Sequence, residues 1–405
     1  MRNIIFYLFA IVLSTYSCSK EYLDVQPSNQ VSAQTLFETV NGAQSVIDGV
    51  LRDMRSQHNN NHDQFGVKAI DLAIDLMGED MAVEKFHWFG ADYRFENHDA
   101  KGYRSDYVWT LYYRMIYNLN EVINHNDFLK AQPEAERQHI KAQAFVLRAY
   151  SYFQLIQLFQ NTYNGSENAP GVPVYTEATT SGNPRSTVQE VYNRIVDDLD
   201  QAIALFEGSN QPRLHISHPT VHVAKGLMAR VTLVMQNWET AAKMAAGART
   251  GYSVMTADEY ALGFDNYTEQ NWIWGLEINQ EQSTTYGSWF SHVDWSIGGY
   301  CGAGLSRKMF SRALYNRMND NDIRKLLVDT TFMKGGLRPD KFSAGNDKGW
   351  NADYVMMRPE EMLLIEAEAL VKLGKEQEAK ALLTELHKNR MNNHEVIMAT
   401  GNQLL

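Results

Sequence analysis

Between Thr187 and Phe206 the apolar residues recur at intervals of three and four: Val188, Val191, Ile195, Leu199, Ala202, Ile203 and Phe206. That spacing places them on one face of an α-helix. Thr187 and Glu190 fit a capping box at its start, and Gly208 lies just past the predicted end. The same periodicity predicts helices over 43–55, 107–124, 134–159, 221–236, 238–248, 359–373 and 376–390. No alternating run of strand length stands out from the loops, so the pattern predicts an all-α fold.

Two segments share one plan. Residues 229–243 and 366–380 each read as a helix, a tight turn at Asn237 or Gly374, and a second helix with a small residue near its start, Ala242 or Ala379. Asn and Gly tolerate the left-handed backbone that ends a helix, and small residues let helices approach. This fits a tetratricopeptide-like hairpin, and equally a generic pair of antiparallel helices. Long polar breaks fall at 161–185, 208–219, 265–306 and 332–351. Long loops on a helical scaffold are where binding sites usually form.

The first seventeen residues read as a secretory signal. Arg2 gives a positive start and Ile4 to Leu13 an apolar run. The run is too short for a bilayer span of roughly twenty residues. Ser17 precedes Cys18 where a bacterial lipoprotein signal would place its lipid-bearing cysteine, although Thr15 stands where Leu is usual. The alternative is an ordinary signal peptide with an incidental cysteine. Lipidation at Cys18 is the expectation, because the chain of 405 residues has only one other cysteine, Cys301. Acyl chains would tether the body to a membrane without spanning it.

Two cysteines also exclude a disulfide framework. A formal net charge of −11 argues against nucleic-acid wrapping, which needs a basic footprint. Aromatic residues make up 11% of the chain, and four of the eight tryptophans (Trp272, Trp274, Trp289 and Trp295) fall between 265 and 304. Tyr286 and Asp294 lie among them. Trp272 and Trp274 read as structural. Trp289 and Trp295 sit among Gly, Ser and Thr, where an exposed indole face could pack on the C–H face of a sugar ring. A loop packed by its own aromatics is the competing reading. A second dense segment runs from Phe86 to Tyr93, with Trp88 and Tyr93 more open to ligand than Phe86 and Phe89.

Catalytic signals are weak. His215, His218 and His222 have ligand-like spacing, but Pro219 interrupts them, and no metal or cofactor is expected. Glu79 with Asp80, and Asp71 with Asp75, could supply a glycosidase pair or one acidic helix face. The glycine-rich stretch 298–304 lacks the Lys-Ser/Thr of a phosphate loop and reads as a hinge. Cys301 reads as a packed small residue. Arg148, in a helix rich in apolar residues, needs a buried partner, so its loss should harm folding.

Several motifs resemble, in order along the chain, the SusD/RagB type of outer-membrane nutrient-binding lipoproteins of Bacteroidetes. Cys18, Tyr22, Leu23, Asp24 and Pro27 are similar to that family's mature start, and Phe37 with residues 43–51 to its first helix. Trp109, Ile116 and Asn120 resemble its "W…I…N" helix. Ala144, Leu147, Arg148, Ala149, Tyr152, Phe153 and Leu155 are similar to its "A-x-x-L-R-A-x-x-Y-F-x-L" motif, followed by residues 171–174. Arg358, Glu361, Leu364, Ile365, Ala367, Glu368 and Ala369 resemble its "R-x-x-E-x-x-L-I-x-A-E-A" helix.

The resemblance implies tetratricopeptide-like helix pairs forming a scaffold. It implies a non-catalytic, lipid-anchored, surface-exposed glycan-binding protein of the outer membrane that passes oligosaccharide to a SusC-type TonB-dependent transporter. A peptide-capturing member of the same family is the first alternative, and a secreted glycosidase the second. The implied organisation is a signal at 1–17, an N-terminal helical region at 18–215 and a C-terminal region at 216–405, forming one unit after processing. Family members continue past Asn389 and Arg390 into a further helical segment, so a truncated chain with apolar surface left open on its last helix is expected. The family's loops vary, so site residues rest on the residues themselves: Trp88, Tyr93, Tyr286, Trp289, Asp294 and Trp295. This reading expects Trp289→Ala or Trp295→Ala to weaken glycan binding by about 1–3 kcal/mol without loss of stability.

Overall fold

The computed structural model describes residues 36–405 apart from 97, 126–131, 269–271, 333–334, 394–396, 398 and 405. The signal segment and Cys18 lie outside the described residues. The long helices are α1 (Val40–Asp53), α2 (Val67–Met77), α3 (Tyr103–His125), α4 (Glu134–Phe159), α5 (Val188–Ser209), α6 (Val221–Val234), α7 (Trp238–Arg249), α8 (Pro359–Lys372) and α9 (Glu376–Lys388). Successive helices lie side by side: α3 on α4, α4 on α5, α6 on α7, α7 on α8 and α8 on α9, with α5 on α6 joining the two runs. This is the expected all-α scaffold of tetratricopeptide-like pairs. No described helix is long and apolar enough to cross a membrane.

Helix α4 lies at the centre. Ala144, Val146, Leu147, Ala149, Tyr152 and Leu155 are all sealed from solvent, so the helix is apolar almost all round, as a helix walled by others must be. Helix α5 starts with the predicted reciprocal cap. The Thr187 hydroxyl accepts from the Glu190 amide, and the Glu190 carboxylate accepts from the Thr187 amide. It ends at Asn210 in the left-handed region, two residues beyond Gly208, which stays helical.

The two hairpin turns divide differently. Gly374 takes the left-handed backbone between α8 and α9 as expected. Between α6 and α7, Gln236 carries the positive φ, and Asn237 instead caps α7 by accepting from the Thr240 amide. Ala241 rather than its neighbour Ala242 is fully buried at the α7 start, while Ala379 is fully buried in α9. Helix α9 also lays Leu382 and Leu383 against Ala367, Leu370 and Val371 of α8.

The aromatic loops hold small antiparallel ribbons that the hydrophobic pattern does not predict. β1 (Met81–Val83) pairs with β3 (Lys308–Phe310), β2 (Trp274–Leu276) with β6 (Tyr354–Met357), and β4 (Val328–Asp329) with β5 (Arg338–Pro339). The first two join segments far apart in sequence and the third closes locally, so the loops between 265 and 357 are stitched together and to the α2 end of the scaffold.

Arg148 has its partner. Its guanidinium donates to both Asp198 oxygens at 2.8 and 2.7 Å and to the Asn120 side chain at 2.6 Å, all buried. Asn120 in turn donates to the carbonyls of Tyr175 and Glu177. One cation thus ties α3, α4, α5 and the 171–183 loop together. Removing Arg148 would leave the buried Asp198 with only the part-exposed Arg194 at 3.1 Å, and Asn120 without its donor. Arg148→Ala is therefore expected to lower the urea unfolding free energy by about 3–5 kcal/mol. Replacing both partners, Arg148→Met with Asp198→Leu, should cost clearly less than the single change. A single-variant loss below about 1 kcal/mol would mean that Asp198 is not held by this pairing.

Candidate functional site

Four loop segments meet beside α2 and the start of α3. The first is 58–66. Asn59 and Asn60 adopt the left-handed region there, which Asn tolerates, and the His58 amide donates to the Gln64 carbonyl to close the turn. The second is 84–95, which ends in a short helical turn, Gly90–Tyr93. The third is 279–305, and the fourth the turn Gly349–Asn351.

A buried charge network fixes the first two. Arg104, at the start of α3, donates to Asp92 through two bonds of 2.9 Å. It also donates to the Asp63 carbonyl at 2.8 Å and carboxylate at 3.2 Å. The Tyr103 hydroxyl gives Asp63 a further bond at 2.8 Å. Burial raises the Asp63 pKa despite these donors. Arg104 binds both loops because one planar fork serves two carboxylates.

His292 fixes the third segment. It is fully buried, its Nε2 donates to the His62 carbonyl at 2.8 Å, and its ring stacks on Tyr300 at 4.9 Å. Burial, with the Lys308 charge nearby, holds its pKa well below the ordinary imidazole value, so it is neutral. The Tyr300 hydroxyl lies 2.7 Å from His62 Nδ1. The Ser283 hydroxyl donates to the Trp350 carbonyl, tying in the fourth segment.

These constraints assemble a patch of rings. His62 lies 5.7 Å from Trp88, 5.7 Å from Tyr300 and 6.3 Å from Tyr286, parallel to the last. His87 contacts Trp88 and Tyr300, and Tyr286 contacts Trp350 at 5.5 Å. Tyr286 and His87 are exposed; His62, Trp88, Tyr300 and Trp350 are half-buried. Such rings are gripped on one side and open on the other. They offer apolar faces for stacking, with imidazole and phenol edges for hydrogen bonds.

Of the residues expected from sequence, Trp88 and Tyr286 belong to this patch. Tyr93 packs on Phe86 at 6.1 Å, outside the patch's ring contacts. Trp289 must be corrected: it is 4% exposed, lies edge-on to Phe342 and carries the Lys68 ammonium over its ring at 4.9 Å. Its Gly/Ser/Thr neighbours misled because Ser288 caps a short buried helix, Trp289–Val293, and does not mark an open loop. Asp294 must be corrected too. It is buried and accepts from Ser296 and from the Ala344 amide, so its oxygens close a turn and do not face a ligand. Trp295 is half-buried in a different stack, with Phe332 at 4.9 Å and the Arg307 guanidinium at 5.3 Å. Trp88, Trp289 and Trp295 thus share no surface.

The three spaced histidines diverge. His215 pairs with Glu277, His218 with Asp48, and the His222 ring bonds the Ala248 carbonyl. Among the described residues no group of three or more His, Cys, Asp or Glu could hold a metal ion. Cys301 is buried, which pushes its thiol up to about 12.

Comparison with known proteins gives four findings. Residues 21–233 match the SusD-like family described as starch-binding, associating with outer membrane. A SusD-like protein of Formosa agariphila is 22% identical over 345 residues, which is 81% of this chain and 62% of that protein. The chain thus spans about three-fifths of that relative's length. A SusD-like carbohydrate-binding protein of Bacteroides vulgatus superposes with a TM-score of 0.82 at 25% identity, over 91% of this chain and 78% of that one. The surface glycan-binding protein A of Bacteroides thetaiotaomicron, solved with laminarihexaose, shares the fold with a TM-score of 0.68 at 17% identity, over 90% and 85%.

Two outcomes follow from the burial. Trp289→Ala should cost about 3–5 kcal/mol of stability as a core truncation, and Tyr286→Ala less than about 1 kcal/mol, both read by urea melts. Equal losses would show that Tyr286 is not at the surface.

The second concerns Lys308, which is sealed from solvent with its ammonium donating to the Ser306 carbonyl and hydroxyl. Burial pushes it from 10.5 down to about 8. Its proton leaves the folded chain before the unfolded one, so the cost of burying the charge is present in full below pH 8 and relieved as pH rises. Cys301, displaced upward from 9.0, opposes that gain above pH 9. Stability should therefore rise between pH 8 and 9, and this rise should shrink in Lys308→Met, leaving the part due to Lys341, which burial also lowers. A rise undiminished in Lys308→Met would assign it to another group.

Proposed function

The chain belongs to the SusD-like family, and on that premise we propose that it is a non-catalytic, cell-surface glycan-binding lipoprotein. It captures oligosaccharide on the His62–Trp88–Tyr286–Tyr300–Trp350 patch and delivers it to a SusC-type TonB-dependent outer-membrane transporter. Its anchor is a lipid on Cys18 after removal of residues 1–17.

The observation that carries the reading is the patch itself. Half-open rings from four separate segments share one surface, in contact with one another and with Tyr300 stacked on the buried His292 ring. Sugar rings present C–H faces that pack on aromatic π-faces, and hydroxyls that bond to the edges. Because the rings are already held, little side-chain freedom is lost on binding. An oligosaccharide is favoured over a single sugar, because several rings can engage successive units. The relatives' descriptions as starch-binding and carbohydrate-binding point the same way. Delivery to a transporter is proposed from the family alone.

The test is isothermal titration of the full chain with maltoheptaose, laminarihexaose and a wider glycan panel. Trp88→Ala and Tyr286→Ala should each weaken the bound glycan by about 1–3 kcal/mol, with an unchanged melting temperature for Tyr286→Ala. Binding of peptides with no glycan bound would replace this reading by peptide capture. Glycan binding indifferent to both substitutions would remove the patch from the site.

A further inference from the structure

A second set of rings lies elsewhere on the scaffold. On α3, Trp109, Tyr113 and Tyr117 recur every four residues and share one helix face. Tyr175, from the 171–183 loop, stands over them and meets Tyr113 edge-on at 5.7 Å. Between the helix face and the loop is a cavity of about 230 Å³, whose loop wall includes Glu177, Thr179 and Ser181.

The walls are held in place. Trp109 contacts Tyr113 at 4.7 Å and is backed edge-on by Phe159 at 5.0 Å. The Tyr113 hydroxyl donates to the Pro173 carbonyl. Asn120 donates to the Tyr175 and Glu177 carbonyls, and Asn124 to the Thr176 carbonyl. The Tyr175 hydroxyl accepts from the Asn183 amide. Asn120 belongs to the Arg148 network, so the loop over the cavity is tied to a buried ion pair of the scaffold. Tyr117 remains 42% exposed at the rim.

The chemistry of the lining narrows the occupant. Aromatic faces on one side suit the C–H face of a ring. Hydroxyls and one carboxylate on the other suit hydroxyl groups, and a carboxylate can accept from two adjacent ones at once. Glu177 is the one charged residue among those described as lining the cavity, so an acidic sugar meets like charge there. The volume lies below the roughly 300–1,000 Å³ of pockets for drug-sized ligands, which limits the site to one ring.

We propose that the Trp109–Tyr117–Tyr175 cavity is a second saccharide subsite, specific for a single neutral pyranose unit with adjacent free hydroxyls. The ligand class rests on the carbohydrate reading above; the site does not use the first patch. Two binding points on one chain raise the avidity for a long glycan without new contacts at either.

The test is saturation-transfer NMR on the full chain carrying Trp88→Ala, which removes the first patch. The probes are the methyl glycosides of glucose, galactose and mannose, methyl glucuronide, and p-cresol as a mimic of a tyrosine side chain. At least one neutral glycoside should bind, methyl glucuronide should not, and adding Tyr117→Ala should weaken the neutral glycoside about five- to tenfold. Glu177→Gln should bring methyl glucuronide binding closer to that of the neutral glycoside. Tyr117 is a rim residue, so circular dichroism and melting should match the parent.

No neutral glycoside binding to the Trp88→Ala chain, or binding unaffected by Tyr117→Ala, would overturn the subsite. Binding of p-cresol with no glycoside bound would overturn it in favour of a partner's aromatic side chain. The two readings fail separately. Laminarihexaose or maltoheptaose binding that survives Trp88→Ala but falls with Tyr117→Ala removes the first patch and keeps this cavity. The reverse pattern removes this cavity and keeps the patch.

Discussion

Arg104 bridging Asp92 and Asp63 is the constraint on which the proposed binding surface depends. Three ionised groups withdrawn from water are costly, and such clusters contribute little net stability. Their value here is positional. One guanidinium at the start of α3 fixes the segment bearing His62 and the segment bearing Trp88 at once, with the Tyr103 hydroxyl adding a second donor to Asp63 Oδ2. Without that fork, two polar loops would be joined chiefly by ring contacts at the surface. With it, the rings stand on a buried hydrogen-bonded base, and a ligand meets a surface already formed.

The scaffold repeats this device. Arg148 does for α3, α4, α5 and the 171–183 loop what Arg104 does for the patch. In both places a buried helical cation reaches a carboxylate on another element and a polar group that holds a loop. The helices supply rigidity through apolar burial around α4, while the buried arginines convert that rigidity into loop positions. This division suits the proposed role of gripping a ligand on a surface formed before the ligand arrives.

The helices were legible because each long one carries its own period and, at α5, its own cap. Helix α2 was not, since Val67, Ala69, Ile70, Leu72, Ala73 and Leu76 are buried on nearly every side and leave little polar face to mark a period. The turn at Gln236 shows a related limit: Asn237 looks like the left-handed residue, but its side chain is more useful as a cap. Within the aromatic loops, composition marked a ring-rich region but could not separate exposed rings from core ones. Tyr286 and Trp289 are three residues apart with similar neighbours, yet one is exposed and the other core, a difference set by Lys68, Phe342 and Tyr354 from distant segments. His62 and Trp350 gave no local signal. They reach the patch through the Arg104 network, the His292 bond and the Ser283 bond, all of them contacts between segments remote in sequence.

The most direct measurement is a crystal structure of the full chain with a bound oligosaccharide. The account predicts sugar rings lying flat against Trp88 and Tyr286, with hydroxyls within hydrogen-bond reach of His62 or His87, and the Arg104 bridge unchanged from the free chain. Density for the sugar against Trp295 and Phe332, or a patch that rearranges to admit it with Arg104 released from Asp92, would contradict it.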